Sequence, residues 1–299
     1  MTFLITGATG FIGKKLTQRL LARGDAVNYL GRERSAQLDS RAAYHPWTNL
    51  KELPPLNSVP RLDAIIHLAG EPLAQRWTPA AKKRIYASRV EGTRQLVTAI
   101  GKLRYKPAVL ISASAIGYYG DRGDETLIER SAWGNGFLTD VCRDWEREAL
   151  RAREFGLRVV TPRLATVLGR EGGALPKMLA PFRLGLGGKF GDGRQWMSWI
   201  HIGDLLRLLL FAVENRSVSG AWNGSSPKPV TNAEFTRTLA ALLRRPAILP
   251  VPKIVLKLAL GELASLLLGS LRVLPAAAEK TGFQFEQPKL AGALASLLS

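Results

Sequence analysis

The chain opens with short apolar runs set between longer amphipathic ones. FLIT (3–6) reads as a strand, FIGKKLTQRLLARG (from residue 11) as a helix, and AVNYL (26–30) as a second strand. DAIIHLA (63–69) is nearly all apolar, the pattern of a strand covered on both faces. A helical pattern runs from about residue 79 to 102, followed by AVLISAS (108–114) as a strand, a helix over about 136–155, and LRVVTPR (157–163) as another strand. Strands alternating with helices predict an α/β fold with a doubly wound parallel sheet.

After about residue 170 glycine and proline thicken, as in PFRLGLGGKFGDG, and helical stretches follow at 203–215 and 231–243. The expected organisation is a nucleotide-binding domain over 1–170 and a smaller C-terminal lobe over 171–299 that holds substrate, with some return of chain to the sheet. The apolar run LALGELASLLLGSL (258–271) is too short to span a bilayer and contains Glu262, so it predicts a buried helix. Lys257 and Arg272 flank it, which leaves a membrane-surface helix as the alternative.

TGATGFIG places Gly7, Gly10 and Gly13 between the first strand and the first helix. In that context the first glycine permits a tight turn, the second lets backbone approach a pyrophosphate, and the third allows close packing of the helix. The helix start, with Thr9, Phe11 and Ile12, then offers free N–H groups to the anion. The second strand ends in YLGRERS, where an NAD site carries an acidic residue for the ribose 2′-hydroxyl. Arg32 stands there instead, which matches a 2′-phosphate and predicts NADP(H).

The balance of 42 Lys and Arg against 24 Asp and Glu is strongly basic. Residues 76–106 are dense in cations, but no nucleic-acid motif or aromatic stacking platform accompanies them, so a solvated basic face with attraction for anionic ligands is the expectation. The single Cys142 allows no internal disulfide and suits a reducing, cytoplasmic setting. No signal peptide is expected, and His45, His67 and His201 are too scattered to argue for a metal site.

With ITGATGFIG, LAGEP, RWT, SASAIGYYG, PFRLGLGG, WIHIGDL, NAEF and LRVLPAAAEKTGFQF in order, the chain resembles the extended short-chain dehydrogenase/reductase superfamily over nearly its whole length. More narrowly it is similar to the nucleotide-sugar epimerase-like group that includes the mammalian epimerase family protein of the 39U type. The resemblance implies a Rossmann-type NADP(H) site, a small-molecule substrate in a cleft beneath the C-terminal lobe, and a homodimer as the oligomer common in the superfamily. It implies that Leu68, Ala69 and Gly70 border the cofactor, and that Arg89 stands where a cofactor-side asparagine is usual. Ser114 would match the serine that hydrogen-bonds the reacting oxygen.

The superfamily's Tyr-x-x-x-Lys dyad is missing, with Phe137 and Val141 expected at its two places. The remaining candidates for proton transfer are Glu71, Tyr118 and Tyr119; Glu71 could equally be an ion-pair partner of Arg76 or Arg89. The arginine and aspartate that grip a nucleotide diphosphate are replaced by Met197 and Ser198, just before Trp199, Ile200 and His201. Arg183 or Arg194 could hold a smaller anion, in a partly apolar cleft lined by Met197 with Trp196 or Trp199. Two functions stay open: an oxidoreductase or epimerase with an atypical site, and a non-catalytic NADPH-binding regulator.

Overall fold

The computed structural model describes residues 1–299. Seven strands form the central sheet: β1 (Thr2–Thr6), β2 (Ala26–Gly31), β3 (Ala43–Pro46), β4 (Ala64–His67), β5 (Val109–Ser112), β6 (Arg158–Leu164) and β7 (Gly220–Gly224). Their spatial order is β7-β6-β5-β4-β1-β2-β3. Every neighbouring pair is parallel. The two-residue strand Ser114–Ala115 continues past β5 and pairs with Arg163 and Leu164 of β6.

The alternation of side chains explains why the strands read as unbroken apolar runs. Phe3, Ile5, Ile66, Ile111 and Val160 belong to one core cluster, whose helices are α1 (Phe11–Ala22) and α6 (Ile202–Glu214). Leu4, Ile65, Leu110 and Val159 point the other way, onto Leu96, Val97 and Ile100. Those three lie on a long bent helix made of α2 (Pro79–Tyr86), a π-helical turn (Ala87–Glu91) and α3 (Gly92–Lys102). Beside α3 runs α4 (Phe137–Leu150). Both faces of the sheet are therefore dry, and each large core side chain stabilises the fold by about 1.5–3 kcal/mol.

The order of strands reverses between β1 and β4, which opens a crevice at their C-terminal ends. A second packed unit is built from the C-terminal half. Its core joins Leu175, Leu179 and Phe182 of α5 (Leu175–Arg183), Phe235 and Leu239 of α7 (Asn232–Leu243), Trp199, and the C-terminal helix Leu290–Leu298. The chain does return to the sheet: α6 packs on α1, and β7 adds the strand beside β6.

Three expectations are revised. The edge strand β3 was not foreseen; AYHP carries too little apolar character to be read as a strand. The helical pattern over 79–102 is interrupted by the π turn at Arg89. The apolar run 258–271 is not a buried helix. It breaks at Gly261 after α8 (Lys253–Leu260), and Leu258 is 72% exposed.

Gly7 and Gly13 explain why the first turn demands glycine. Gly7 has φ +72°, and a Cβ there would lie 2.7 Å from the Leu68 carbonyl carbon. A Cβ on Gly13 would lie 2.2 Å from the Gly7 carbonyl oxygen and 2.6 Å from Ala8 Cα, so this glycine packs the helix against the turn itself. Since both obstacles are backbone, Gly13→Ala is expected to cost about 1–3 kcal/mol. Urea unfolding should show a lower midpoint at unchanged slope; an unchanged midpoint would mean that the turn yields freely.

Candidate cofactor and active site

At the crevice, α1 begins at Gly10 with no side-chain cap, leaving its first N–H groups unsatisfied by the chain. Gly10 and Thr9 are exposed there, whereas Phe11 and Ile12 are half-buried. A Cβ at Gly10 would sit 3.3 Å from the Gly7 oxygen, in the hollow an anion would use. The Phe11 ring fills the space left by Gly169, Gly172 and Gly173, where added Cβ atoms would come within 2.2–3.2 Å of it. Lys15 pairs with Glu171 at 2.6 Å across the same junction. Arg32 directly follows β2, is exposed and makes no ion pair. Its charge reaches Glu71 and contributes to holding that carboxyl low. These features fit the pyrophosphate and 2′-phosphate of NADP(H).

A hydrogen-bond chain ties this loop to the opposite wall. The Ala69 N–H donates to Thr6 Oγ1 at 3.2 Å, and Thr6 Oγ1 lies 2.6 Å from His67 Nδ1. His67 Nε2 lies 2.9 Å from Thr93 Oγ1, whose hydroxyl donates to the Arg89 carbonyl. Each hydroxyl has one proton, so the chain is consistent with a neutral His67 protonated on Nε2. Burial, with the nearby Arg89 charge, holds His67 down at about 4. This histidine is a satisfied core residue.

Arg89 sits on the π turn, half-buried. Its Nη1 donates to the Glu71 carbonyl at 2.9 Å and faces Ile85 O at 3.5 Å. Its guanidinium lies 5.4 Å from the Trp145 ring centre and touches Gly70, where a Cβ would meet Cζ at 2.9 Å. No carboxylate pairs with it, and burial lowers its pKa from the ordinary arginine value. By contrast, the Glu71 carboxylate accepts from Gln75 at 3.0 Å and from Arg84 at 3.2 Å, and these bonds lower its pKa. Glu71 is therefore an ionised structural carboxylate, paired with Arg84 and not with Arg76 or through its side chain with Arg89.

Ser114 is 2% exposed, and its hydroxyl donates to Glu146 Oε1 at 2.6 Å. Glu146 also receives Arg163 through two bonds of 2.8 Å, with both partners buried. Arg163 Nη1 reaches Tyr119 Oη at 3.0 Å and Glu129 O at 3.1 Å. Tyr119 Oη donates to Asn223 Oδ1 at 2.7 Å, and burial pushes this phenol up to about 12. Ser114 and Tyr119 thus belong to an interior network. Tyr118 differs: it is half-buried, its ring lies 3.4 Å from Arg163 Cζ, and its hydroxyl makes no bond within the chain.

On α4, neither Phe137 nor Val141 carries a proton-transferring group. Phe137 turns to Trp77, 5.5 Å between ring centres, and Lys82 lies over its other side while pairing with Glu262. The side chains facing the Ser114–Tyr118 segment include Leu138, whose Cβ is 3.3 Å from a Cβ placed on Gly117, Thr139, which donates to Gly117 O at 3.0 Å, and Cys142, beside Ser114 and the Ala115 N–H. Burial pushes the Cys142 thiol up to about 12, so it is an inert apolar neighbour. No tyrosine and no lysine lies on α4.

The predicted substrate residues lie on several elements. His201 accepts the Gly203 N–H at 3.0 Å as the N-cap of α6, and Trp199 is fully buried in the lobe core. Met197 packs against that same core, with its sulfur 3.2 Å from Asn232 Nδ2. Ser198 is buried and donates to Leu271 O at 2.8 Å. Trp196 is half-buried, bonded to Asp124 at 2.9 Å under Arg272. Arg183 and Arg194 are exposed without ion-pair partners. No group of three or more His, Cys, Asp or Glu comes together to hold a metal ion.

A glycine turn, an uncapped helix and a crevice at the strand-order reversal define a dinucleotide-binding α/β protein. The family model for the NAD dependent epimerase/dehydratase family matches residues 3–223, and the chain belongs to that family. A second model, a domain of unknown function (DUF1731), matches residues 251–297. The chain is 40% identical over 302 residues to the chloroplastic epimerase family protein SDR39U1 homolog of Arabidopsis thaliana, covering 100% of this chain and 87% of the relative. It is 38% identical to the epimerase family protein YfhF of Bacillus subtilis, covering 100% and 98%. The crystal structure of human epimerase family protein SDR39U1 with NADPH superposes with a TM-score of 0.90 at 37% identity, covering 99% of each chain. A nucleoside-diphosphate sugar epimerase from Corynebacterium glutamicum gives 0.81 at 34% identity, covering 100% of this chain and 58% of that one.

His67 sets a pH dependence. Its folded pKa of about 4 lies below the ordinary 6.5, so between these values the unfolded chain binds the extra proton. Stability is therefore full above pH 6.5, falls as pH drops towards 4, and loses up to roughly 3 kcal/mol from this residue. Chemical denaturation at several pH values should show a shallower fall in His67→Gln; parallel profiles would remove His67 as the cause.

Proposed function

We propose that this chain is an NADP(H)-dependent oxidoreductase or epimerase-like enzyme acting on a small polar, anionic carbonyl or hydroxyl substrate. The observation that carries the reading is Arg89, a half-buried guanidinium with only carbonyl partners, beside Gly70 at the cofactor edge. The cofactor is NADP(H). The glycine turn and the uncapped start of α1 hold the pyrophosphate, and Arg32 faces the 2′-phosphate. When bound, the nicotinamide exchanges a hydride with the substrate carbon. Arg89 supplies the fixed positive charge that the missing dyad lysine would have given. Tyr118, whose hydroxyl is unbonded, gives or takes the proton at the substrate oxygen. Ser114 acts at one remove, by orienting Glu146 and through it Arg163 beneath the Tyr118 ring. Arg183 and Arg194 remain candidates for guiding a small anion. Met197 and Ser198 face the lobe interior, which supports a substrate other than a nucleotide diphosphate.

A non-catalytic NADPH-binding regulator is the second reading, favoured by Leu138 and Cys142 on the face of α4 that meets Tyr118's loop. Turnover separates the two. The NADPH-loaded chain is mixed with small keto acids, hydroxy acids and sugar phosphates while nicotinamide absorbance is followed, including under single-turnover conditions. One class is expected to change the cofactor's redox state and UDP-sugars are expected to be silent. Tyr118→Phe should slow that step by about a hundredfold or more at unchanged cofactor affinity. A cofactor that stays unchanged through the whole panel would leave the regulator standing.

The cofactor assignment has its own test. Arg32→Glu removes a charge-assisted contact and should weaken NADPH by roughly tenfold or more. NADH binding should change little. Equal affinity of the unmutated chain for both cofactors by calorimetry would sink the assignment.

A further inference from the structure

The outer face of α8 is built the wrong way round for a helix of a water-soluble domain. Only Leu256 of its residues is buried, while Ile254 is 62%, Val255 49% and Leu258 72% exposed. At about 100° per residue, Leu256 and Leu260 share the inward row, and Ile254 and Leu258 point away from it. Lys253 and Lys257, four residues apart, form the row alongside. The helix therefore presents an apolar ridge edged by cations to solvent.

The ridge continues onto neighbouring chain. The loop after α5 runs beside the segment leading into α8: Val251 N–H donates to Lys189 O at 2.8 Å and Gly191 N–H to Val251 O at 2.9 Å. Leu184 and Leu186 on one segment, and Ile248 and Leu249 on the other, are 74%, 58%, 79% and 52% exposed. Seven of the chain's exposed large apolar side chains thus lie on α8 and these two segments. A concentration of that kind marks an interaction surface.

Charge says what covers it. Lys189, Arg244, Arg245, Lys253 and Lys257 are all exposed on these segments, and none makes an ion pair. Residues 181–191 and 244–257 contain no acid. The acids that follow the two segments in sequence are Asp192, near Lys253, and Glu262, which is held by Lys82. A second copy fits poorly, because a two-fold interface would bring this cationic face against itself. No helix is long and apolar enough to cross a membrane, so a spanning segment is not what the ridge represents.

We propose that this face docks the protein on an anionic membrane surface, with Ile254, Val255 and Leu258 entering the headgroup–acyl boundary and the surrounding lysines and arginines meeting lipid phosphates. The proposal stands apart from the cofactor reading: the cradle at Gly7–Gly13 and the α8 ridge share no residue.

The test is co-sedimentation of the full NADPH-loaded chain with vesicles of phosphatidylcholine alone and of phosphatidylcholine with phosphatidylglycerol. Binding is expected on the anionic vesicles only, weakening as salt rises. Ile254→Asp with Leu258→Asp should reduce it by roughly tenfold or more. Lys253→Gln with Lys257→Gln should also reduce it, by roughly fivefold for each charge. All four positions are exposed, and unchanged NADPH affinity confirms that the variants fold. Equal binding to both vesicle types, binding to neither, or binding untouched by the Ile254 and Leu258 changes overturns the proposal. So does self-association in sedimentation velocity that the same two changes abolish, which would assign the face to a second copy.

Discussion

A buried guanidinium is tolerated only when its donors are matched, and the pair between Arg163 and Glu146 meets that condition on every side. Glu146 takes two of its bonds, Tyr119 and the Glu129 carbonyl take the third nitrogen, and the Tyr118 ring covers its face. The members come from β6, α4, the segment after β5 and the loop beyond it. Tyr119 passes the connection to Asn223 on β7, whose amide donates to Leu274 O at 2.8 Å in the C-terminal lobe. Replacing one partner would strand a charge in low dielectric, typically at a cost of about 3–5 kcal/mol. The network's geometry matters more than its net energy, since it ties α4, β6 and β7 to the segment at Leu274.

That constraint explains why a residue in the expected catalytic place need not be catalytic. Ser114 lies past the end of β5 as a substrate-binding serine would, but its hydroxyl donates to Glu146 at 2.6 Å. With Ser114 turned inward, Leu138 and Cys142 opposite, and Glu71 held by Arg84, the walls near the nicotinamide edge are poorer in protic groups than the motifs suggest. Tyr118 and Arg89 are half-buried polar side chains whose bonding is incomplete, and the buried Trp145 Nε1 and Ser112 Oγ nearby also lack a partner. Incomplete bonding in a half-buried group is what a ligand can relieve.

The sheet was legible because its physics is local. A strand covered on both faces must be apolar at every position, so DAIIHLA could hardly be anything else, and all four residues from Ala64 to His67 are fully buried. The glycine turn was legible for a similar reason: backbone collisions at Gly7 and Gly13 involve only neighbours in sequence and the end of β4. The site's polar wiring was not. Glu146 finds Arg163 across 17 residues and Tyr119 finds Asn223 across 104, and no periodicity announces such pairs. A signal did exist in Arg163, a charge inside a strand whose neighbours are apolar, which implies a buried partner. The register on α4 was beyond reach, because a motif whose defining tyrosine and lysine are gone has nothing left to set it. The apolar run 258–271 misled for another reason: composition shows that side chains are apolar but not whether the fold provides anything to cover them.

The distribution of pairing gives the excess of basic residues a meaning that the total charge lacks. Within the basic stretch 76–106, Arg84, Lys82 and Arg94 reach carboxylates on other elements, so three of its nine cations are internal wiring. Arg32 and Arg89, on either side of the crevice, make no such pair. Arg32 is fully hydrated and can wait for a phosphate at little cost. Arg89 is half-buried, and carbonyl oxygens return only part of the hydration it has lost. An anion arriving beside it regains that loss in addition to its own contact, and does so at a place fixed by the Thr6–His67–Thr93 chain rather than by a mobile side chain. The phosphate loop and the cation opposite are thus held at a set spacing by neutral, buried hydrogen bonds, which makes the crevice a site shaped for one extended anionic ligand before that ligand arrives.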